Sequence, residues 1–426
     1  MTVDAALPPA PVRTADRPVL LDAWAARSCP VKTQHRFDPR DTPRPVRPAA
    51  SDDPLALRAE AARRHEAVVL EQLIDRCRGR VVDLRLLAAD GADVQAAATR
   101  RALLDGVDAV VGGVLPLDVD GHRSGAPDLL VRGADTADGR PTYHPVLVVW
   151  HKVLAPAPTG RAATGGSEEQ GRGGTGDDRG PTLPWTSFGQ PSPVHLLKRP
   201  GLVLRLRSEE RDLRQLAHHH RLLQAAGFGA ATPWGGLVGT DPVPDGDEVG
   251  LTWCDLGEPL LRTFDPGVEG GYRLETALER YDGAFARRVA VAEAARRGEP
   301  LLEPVVVREC ATCPWWEGCR SRLDDDDVSL RIDRGALDRT EVEALRDLGA
   351  GTVHALAAAD LDVLLPRYLE RVPRRSHAES RLRTAARRAR LLEGGVPFVR
   401  ETSGPIAVRG AEVEVDLDIE LSLIHI

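Results

Sequence analysis

Three cysteines stand close together late in the chain, at Cys310, Cys313 and Cys319, and thiolates at this spacing suit a metal site. A tetrahedral zinc site or a four-iron cluster is completed by four thiolates, so a fourth ligand is needed. Cys29 is the candidate, and such a split site would tie both ends of the core together. Zinc sites usually arrive as two matched close pairs, whereas one remote cysteine with a tight group of three favours an iron–sulfur cluster. Spacing alone leaves both metals open.

Two further residues could take part in phosphoryl chemistry. Asp128 follows Gly-Ala-Pro at 125–127 and opens an apolar run, and a carboxylate at a sheet edge is well placed to hold Mg²⁺. Lys152 ends the apolar run 146–151, where an ammonium can orient a water or stabilise a phosphoryl transition state. The ordinary alternatives are a turn-forming aspartate and a lysine that extends to solvent.

Hydrophobic periodicity predicts the elements that must position these residues. Apolar residues at spacings of three and four predict helices, and short runs rich in Val and Leu between Gly, Asp and Pro predict strands. Together the patterns predict an α/β core. Helices are predicted near 55–77, 94–104, 209–226 and 274–297, and strands near 81–84, 108–117, 128–131, 146–153, 235–238 and 249–254.

Segments of biased composition divide the chain. Residues 1–18 are rich in Ala and Pro and are expected to be disordered, and the Gly-rich segment 155–183 is expected to be a flexible insert in the core. Residues 328–395 are expected to form a small helical, basic domain. Within it, the pattern from Leu345 to Gly349 resembles a helix-hairpin-helix, whose Gly turn lets backbone N–H groups meet a phosphate. A plain helical hairpin fits this pattern as well.

The charge balance restricts where nucleic acid could bind. The formal net charge is −8, from 56 basic and 64 acidic residues, so any such site must be a local patch. The segment 367–390 holds nine arginines against only Glu370 and Glu379. Such a run is usually a solvated helix face, yet in an acidic protein it is the best electrostatic match for a phosphate backbone. The arginines expected to contact DNA are Arg374, Arg375, Arg381, Arg387 and Arg388.

Hydropathy argues against a membrane or secreted protein. No segment approaches the roughly 18 consecutive apolar residues that a membrane span needs, and the N-terminus lacks the apolar core of a signal peptide. Hydrophobic residues make up 42 % and charged residues 28 %, as is ordinary for a globular protein. We therefore expect a cytoplasmic location and no membrane partner.

The end of the sequence suggests a second domain. Residues 405–420 are expected to hold the first strand of this domain, because acidic and apolar side chains alternate from Glu414 to Glu420. Asp418 and Glu420 on this strand resemble the opening metal motif of DnaQ-like, RNase H-fold exonucleases, of which only the first strand is present. Residues 421–426 resemble a translated sequencing adapter, so we attach no structural meaning to them.

The order of these motifs resembles a known family. A helix with His65 mid-way comes first, and the strands that begin with Asp128 and end with Lys152 follow. A helix with Gln215 and the late cysteine group come next. The series is similar to the RecB-like branch of the PD-(D/E)XK nuclease superfamily, in particular iron–sulfur members such as the AddB nuclease domain and CRISPR-associated exonucleases. It covers residues 19–322 and implies a restriction-endonuclease-like core, a central mixed sheet flanked by helices, followed by the small helical domain.

The resemblance also implies roles for individual residues. His65 and Asp128 would be ligands of Mg²⁺ or Mn²⁺, and Lys152 would be the catalytic lysine. Gln215 matches the glutamine of the family's Gln-x-x-x-Tyr motif, which helps to place the substrate strand. The residues that would hold a [4Fe-4S] cluster, with zinc as the alternative, are Cys29, Cys310, Cys313 and Cys319.

Two positions depart from the family pattern. The family has Asp or Glu two residues before the lysine, where this chain has Trp150, and the family's tyrosine is replaced by His219. The site is therefore expected either to be built differently, with Asp83 or His151 recruited, or to bind DNA without cutting it.

These inferences together predict a metal-dependent DNA nuclease of the RecB family. It would act on DNA ends or single strands in repair or recombination, with a helicase as a partner. One alternative is a catalytically degenerate scaffold that binds DNA. The other is a zinc-stapled module for protein interaction, which would fit the negative net charge.

Overall fold

The computed structural model describes residues 18–40, 54–157, 182–241, 250–332, 337–397, 399–400 and 404. Several predictions therefore lie outside the described residues: nearly all of the leader 1–18, most of the insert 155–183, the strand 405–420 with Asp418 and Glu420, and the segment 421–426.

The chain forms two compact units. We name them the α/β unit and the helical unit. The α/β unit comprises residues 1–42, 55–261 and 274–301, and the helical unit comprises 43–54, 262–273 and 302–426.

The described residues contain twelve strands and eleven α-helices, joined by turns and loops. The strands are β1 (Val81–Asp83), β2 (Ala109–Val111), β3 (Leu129–Arg132), β4 (Tyr143–Val148), β5 (Leu154–Pro156), β6 (Thr182–Ser187), β7 (Leu197–Pro200), β8 (Leu202–Leu204), β9 (Trp234–Val238), β10 (Gly250–Asp255), β11 (Pro259–Phe264) and β12 (Tyr272–Thr276). The helices are α1 (Pro30–Phe37), α2 (Pro54–Arg76), α3 (Ala92–Leu104), α4 (Leu206–Ala225), α5 (Ala277–Arg296), α6 (Trp316–Arg320), α7 (Val328–Arg331), α8 (Arg339–Asp347), α9 (Val353–Ala358), α10 (Leu361–Arg371) and α11 (Ala378–Glu393).

Eight strands form one mixed sheet in the order β1-β2-β3-β4-β9-β10-β6-β7. The pairs β1–β2 and β4–β9 are parallel, and the other five pairs are antiparallel. Two small two-stranded sheets, β5–β8 and β11–β12, complete the strands. The expected α/β core with a large mixed sheet is confirmed.

Helices cover both faces of this sheet because side chains alternate along each strand. On one face, Val146 and Val148 of β4 pack in a buried cluster with Leu70 and Leu73 of α2. On the other face, Leu147 of β4 packs in a cluster with side chains of α4, while α3 and the end of α4 cover β2 and β3. Helix α2 and helix α4 therefore approach β4 from opposite sides.

Helix α5 begins later than its sequence pattern predicts. The apolar spacing predicts a helix from Leu274, but residues up to Thr276 belong to β12. Thr276 then caps the helix, because its hydroxyl accepts a hydrogen bond from Glu279 N–H at 3.0 Å while the Glu279 carboxylate accepts from Thr276 N–H at 2.9 Å. This reciprocal capping box fixes the start of the helix.

The outer strand β7 carries charged side chains. It pairs with β6, with Leu183 opposite Arg199. The Arg199 guanidinium lies 3.7 Å from the centre of the Trp185 ring, and Pro200 ends the strand.

The helical unit is built around its own core. Residues from α8 to α11 meet in one buried cluster that includes Leu345, Val353, Tyr368 and Leu382. The expected helical region near the C-terminus is confirmed. None of the described helices has a segment long and apolar enough to cross a membrane.

Candidate active site

The first predicted ligand lies where β3 begins and β4 ends, two neighbouring strands inside the sheet. Asp128 directly precedes β3, and the antiparallel register pairs Leu129 with Val146, so Asp128 lies near the end of β4. The Asp128 carboxylate accepts a hydrogen bond of 2.8 Å from Val148 N–H. Its carbonyl accepts another of 3.0 Å from Gly112 N–H. Backbone contacts from two neighbouring segments therefore fix the position of this carboxylate.

The loop before Asp128 is anchored on α4. The carbonyl of Ser124 lies 2.9 Å from His218 Nε2. A Cβ added at Gly125 would lie 2.9 Å from Leu222 Cδ1 and 3.0 Å from His219 Cδ2, so only glycine fits this approach without a shift of the helix side chains. His219, predicted to replace the family's tyrosine, is thus a buried packing residue behind the loop.

A second carboxylate, from Glu66 of α2, lies beside Asp128. Burial, and then the charge of Glu66, raise the pKa of Asp128 to about 7. The pKa of Glu66 is also raised by burial, although Arg85 opposes the shift. The sequence analysis missed Glu66 and named its neighbour His65. The sequence does contain a signal for Glu66: it is an acidic residue directly after the candidate ligand His65 on the same predicted helix.

His65 lies against the residue that replaces the family's acid. Its ring centroid is 5.1 Å from that of Trp150, at an interplanar angle of 57°. Burial lowers the pKa of His65, and its Nε2 makes no hydrogen bond among the described residues. Trp150 remains 43 % exposed. The structure thus places His65 against Trp150 just beyond β4. Asp128 lies at the start of the neighbouring strand β3, where the charge of Glu66 acts on it.

The residue after Trp150 belongs to a different cluster. His151 Nε2 lies 3.1 Å from the buried carboxylate of Asp212 on α4, and Asp212 also pairs with Arg27 at 3.7 Å. Arg27 donates a hydrogen bond to Gln215 Oε1. Gln215, predicted to place the substrate, is therefore held by Arg27, and no hydrogen bond in the described ranges joins it to Asp128.

Lys152 lies in the loop after β4. Thr240 N–H donates to the His151 carbonyl at 3.0 Å, and Val153 N–H donates to the Asp241 carboxylate at 2.6 Å. These bonds fix the backbone on both sides of Lys152. Its side chain is exposed, and the described part of the chain contains no hydrogen bond or ion pair between it and Asp128. The predicted lysine and aspartate are therefore not in direct contact.

Asp83, which the sequence suggested as a replacement ligand, is engaged by an arginine. Arg85 pairs with its carboxylate at 2.7 Å and lowers the pKa of Asp83. The charge of Asp83 is therefore neutralised by Arg85, whereas the charge of Glu66 acts on the Asp128 carboxylate.

Four histidines behind the site are buried in the neutral form. Burial lowers the pKa of His144, His218 and His220 to about 4, and lowers that of His219 well below its usual value. His218 is hydrogen-bonded to Tyr281 and Ser124, but both ring nitrogens of His220 lack partners among the described residues.

These histidines predict loss of stability in acid. Because their folded pKa values lie below the unfolded value of about 6.5, the unfolded chain takes up protons first as the pH falls. The free energy of unfolding should hold above about pH 6.5 and fall towards pH 4, by about 1.4 kcal/mol per pH unit for each histidine. Urea unfolding at several pH values measures it. His220→Leu should reduce the slope, whereas the exposed-residue control His195→Gln should not. Equal slopes in all three proteins would contradict this account.

The late cysteines lie on two consecutive turns of the helical unit. Cys310 belongs to the short turn Arg308–Thr312, Cys313 follows it, and Cys319 lies in α6. Val307 N–H donates to Cys310 Sγ at 3.3 Å. Cys29 belongs to the α/β unit and directly precedes α1. Among the described residues, no three or more His, Cys, Asp or Glu side chains are gathered as a metal site would require.

Two of the five predicted DNA-binding arginines serve the helical core. Arg381 donates to both carboxylate oxygens of buried Glu341, at 2.8 and 2.7 Å, and Arg375 lies 3.3 Å from the same carboxylate. Arg374 and Arg387 are exposed. Arg388 is partly buried, and its Nη1 has no hydrogen-bond partner in the described ranges.

The hairpin between α8 and α9 turns at Gly349, whose φ of +76° suits glycine. At the start of α9, His354 N–H donates to the Asp326 carboxylate at 2.8 Å, and Val353 N–H donates to the Asp326 carbonyl at 2.8 Å. Asp326 thus occupies the two amides that open the second helix of the hairpin.

Comparisons with protein-family models, with curated proteins and with solved structures gave no match to this chain.

Proposed function

We propose that the α/β unit is a metal-dependent DNA nuclease whose cation, Mg²⁺ or Mn²⁺, is held by Glu66 and Asp128. The observation that supports this is the position of the Asp128 carboxylate at the start of β3, fixed by Val148 N–H and within electrostatic reach of the Glu66 carboxylate. A divalent cation would remove the repulsion. Mg²⁺ is commonly held by one or two carboxylates while it keeps several waters, so this donor set suits it.

The proposal accounts for the loss of the family's acid at Trp150. Glu66 on α2 supplies a second carboxylate in place of one on β4. When bound, the cation would lower the pKa of a water and polarise the phosphoryl group. Asp128 is oriented by Val148 N–H, and exposed Lys152, in the loop after β4, would be the residue that meets a substrate phosphate.

The resemblance supplies the rest of the proposal. DNA ends or single strands would be the substrate, in repair or recombination, with a helicase as partner and a cytoplasmic location.

Metal titration tests the site directly. Calorimetry with Mn²⁺ should detect binding to the unaltered chain and little or none to Glu66→Gln. The matched control is Glu60→Gln, on the same helix, whose exposed carboxylate is already paired with Arg63 and Arg64. Equal Mn²⁺ binding by the three proteins, or no binding by any, would reject the proposed site.

A second candidate is a scaffold that binds DNA without cutting it. Trp150 in place of the acid, and the lack of a described contact between Lys152 and Asp128, favour it. Under this alternative, gel shifts show salt-sensitive DNA binding, while labelled DNA stays intact in Mg²⁺ and in Mn²⁺.

We also propose that Cys310, Cys313 and Cys319 take part in a [4Fe-4S] cluster. Their place on consecutive turns and the N–H···S bond to Cys310 support it, since such bonds tune cluster sulfurs. The three thiolates are not gathered, so binding would have to draw them together. Cys29 remains the fourth ligand predicted from sequence.

Protein purified without oxygen should therefore be brown and contain iron. Cys313→Ser should lose the visible absorbance and most of the iron, because one ligand is removed. Cys77→Ser, at the end of α2, is the control and should keep both. Colourless protein with stoichiometric zinc would select the zinc alternative, and protein without either metal would reject the site.

A further inference from the structure

The side chain of Trp150 presents aromatic surface beside the two carboxylates. It is 43 % exposed, and a tryptophan usually buries most of its area. One side of the ring packs on His65, the residue directly before Glu66 in α2. Two residues before Trp150, Val148 N–H donates to the Asp128 carboxylate at 2.8 Å, so the aromatic surface follows directly on the strand end that holds this carboxylate.

The backbone holds Trp150 rigidly. Val149 N–H donates to the Val238 carbonyl at 2.9 Å, and the His151 carbonyl accepts from Thr240 N–H at 3.0 Å. Both neighbours of Trp150 are thus tied to the segment that continues β9. A ring on a fixed backbone, braced by His65, loses little side-chain freedom when a flat ligand stacks on it.

The chemistry of the surroundings restricts the ligand. Two carboxylates repel an anion unless a cation lies between them, whereas exposed Lys152 attracts one. In a molecule with a phosphate and an adjoining flat ring, the phosphate can bind the cation while the ring stacks on the aromatic surface. Nucleotides within a strand have this form, and any base can stack on an aromatic side chain.

We propose that Trp150 stacks on an unpaired base next to the phosphate at the Glu66–Asp128 site, so that the substrate is single-stranded DNA or an end with unpaired bases. This inference rests on the proposed function. Bases inside a duplex are already stacked on their neighbours and cannot reach the ring. The residue that replaces the family's acid thereby selects the strand form of the substrate.

Binding measurements in Ca²⁺, chosen to limit cleavage, test the inference. Fluorescence anisotropy with a labelled single-stranded oligonucleotide should show binding by Trp150→Ala weakened about 5- to 160-fold, since base–aromatic stacking contributes about 1–3 kcal/mol. Trp150→Phe should recover most of the affinity. Leu86→Ala removes an apolar side chain that is 89 % exposed elsewhere in the α/β unit, and it should change nothing. A duplex of the same sequence should bind all four proteins alike.

An oligonucleotide series with one abasic position gives a second readout. At the base that stacks on Trp150, the abasic site should weaken binding to the unaltered protein but not weaken binding to Trp150→Ala further. Independent, additive losses at every position, or an equal loss of duplex binding in Trp150→Ala, would overturn the inference.

Mn²⁺ calorimetry separates this inference from the proposed function. Trp150→Ala should bind Mn²⁺ as the unaltered chain does. If Mn²⁺ binds, DNA is cut, and the preference for single-stranded over duplex DNA is the same in Trp150→Ala as in the unaltered chain, only the stacking role fails. If the unaltered chain binds no Mn²⁺, the proposed nuclease site fails.

Discussion

Asp128→Asn should abolish Mg²⁺-dependent cleavage of single-stranded DNA and, at the same time, stabilise the metal-free protein. The activity should fall about a thousandfold, because a bound cation supplies several kcal/mol of transition-state stabilisation and each 1.4 kcal/mol is tenfold in rate. Asparagine can still accept the hydrogen bond from Val148 N–H, so the loop before β3 should be retained. Cleavage of labelled oligonucleotides measures the first effect.

The gain in stability follows from the raised pKa of Asp128, about 7 in the folded state against about 4 in the unfolded state. Between about pH 4 and pH 7 the unfolded chain releases this proton while the folded chain keeps it, so the fold loses stability as the pH rises through this window. At pH 8, Asp128→Asn should raise the free energy of unfolding by about 4 kcal/mol, since each of the three pKa units is worth about 1.4 kcal/mol, and the advantage should fade as the pH falls towards 4.

In added Mg²⁺ the unaltered chain should become more stable than Asp128→Asn, because a bound ion stabilises only a protein that can bind that ion. The unaltered chain should gain melting temperature in Mg²⁺ and Asp128→Asn should not. The exposed-carboxylate control, Asp120→Asn, should match the unaltered chain in activity and stability. A variant that loses both activity and stability would identify Asp128 as a structural residue.

Glu341→Gln should cause the largest loss of stability in the helical unit. The Glu341 side chain is fully buried and accepts from Arg381, Tyr368 and its own capping partner, Asp338 N–H. Removing one partner of a buried ion pair typically costs about 3–5 kcal/mol, and the lower end applies here because the Arg381 side chain left behind is 24 % exposed. Chemical denaturation followed by far-UV circular dichroism measures the loss.

The matched control is Glu379→Gln on α11. Its pair with Arg383 is an exposed i,i+4 contact at 2.9 Å, which is worth about 0.5 kcal/mol or less. The double variant Glu341→Met with Arg381→Met should recover part of the loss, since both charges are removed together. A loss from Glu341→Gln no larger than the control's would refute this role.

This ion pair changes how arginine substitutions should be interpreted. If the helical unit binds DNA, Arg381→Ala would weaken that binding by unfolding the unit, whereas Arg374→Ala, at an exposed position, would test a direct phosphate contact. A fall in DNA affinity should therefore be compared with the melting temperature of the same variant.

Sequence reasoning succeeded where the period of apolar residues is regular. Helix α2 and strand β3 follow from it, whereas the strand predicted near 146–153 lies at Tyr143–Val148, so Trp150 and Lys152 fall in the loop after β4. The apolar period could not distinguish His65 from Glu66. One step along a helix turns a side chain by about 100°, and the apolar stripe of α2 does not show which of these two neighbours faces Asp128. The family pattern favoured the histidine, and the structure places the carboxylate beside Asp128.

Long-range pairing explains the other gaps. An arginine run looks the same in sequence whether it faces solvent or a buried acid far along the chain, so the bonds from Arg375 and Arg381 to Glu341 left no local signal. Strands β6 and β7 follow a Gly-rich segment and contain proline or basic residues, which are poor strand formers. Strand β8 has only three residues, and pairing with β10, β6 and β5 identifies the three segments as strands.

The outer strand β7 has a consequence for self-association. An open sheet edge offers unpaired N–H and C=O groups to a strand from another molecule, which is how many sheets aggregate. At β7, a foreign strand would meet Lys198, Arg199 held over Trp185, and Pro200, which has no N–H to donate. Two such edges approaching each other would bring like charges together. This border should therefore resist edge-to-edge polymerisation, and crowding or concentration should promote little fibril growth from it.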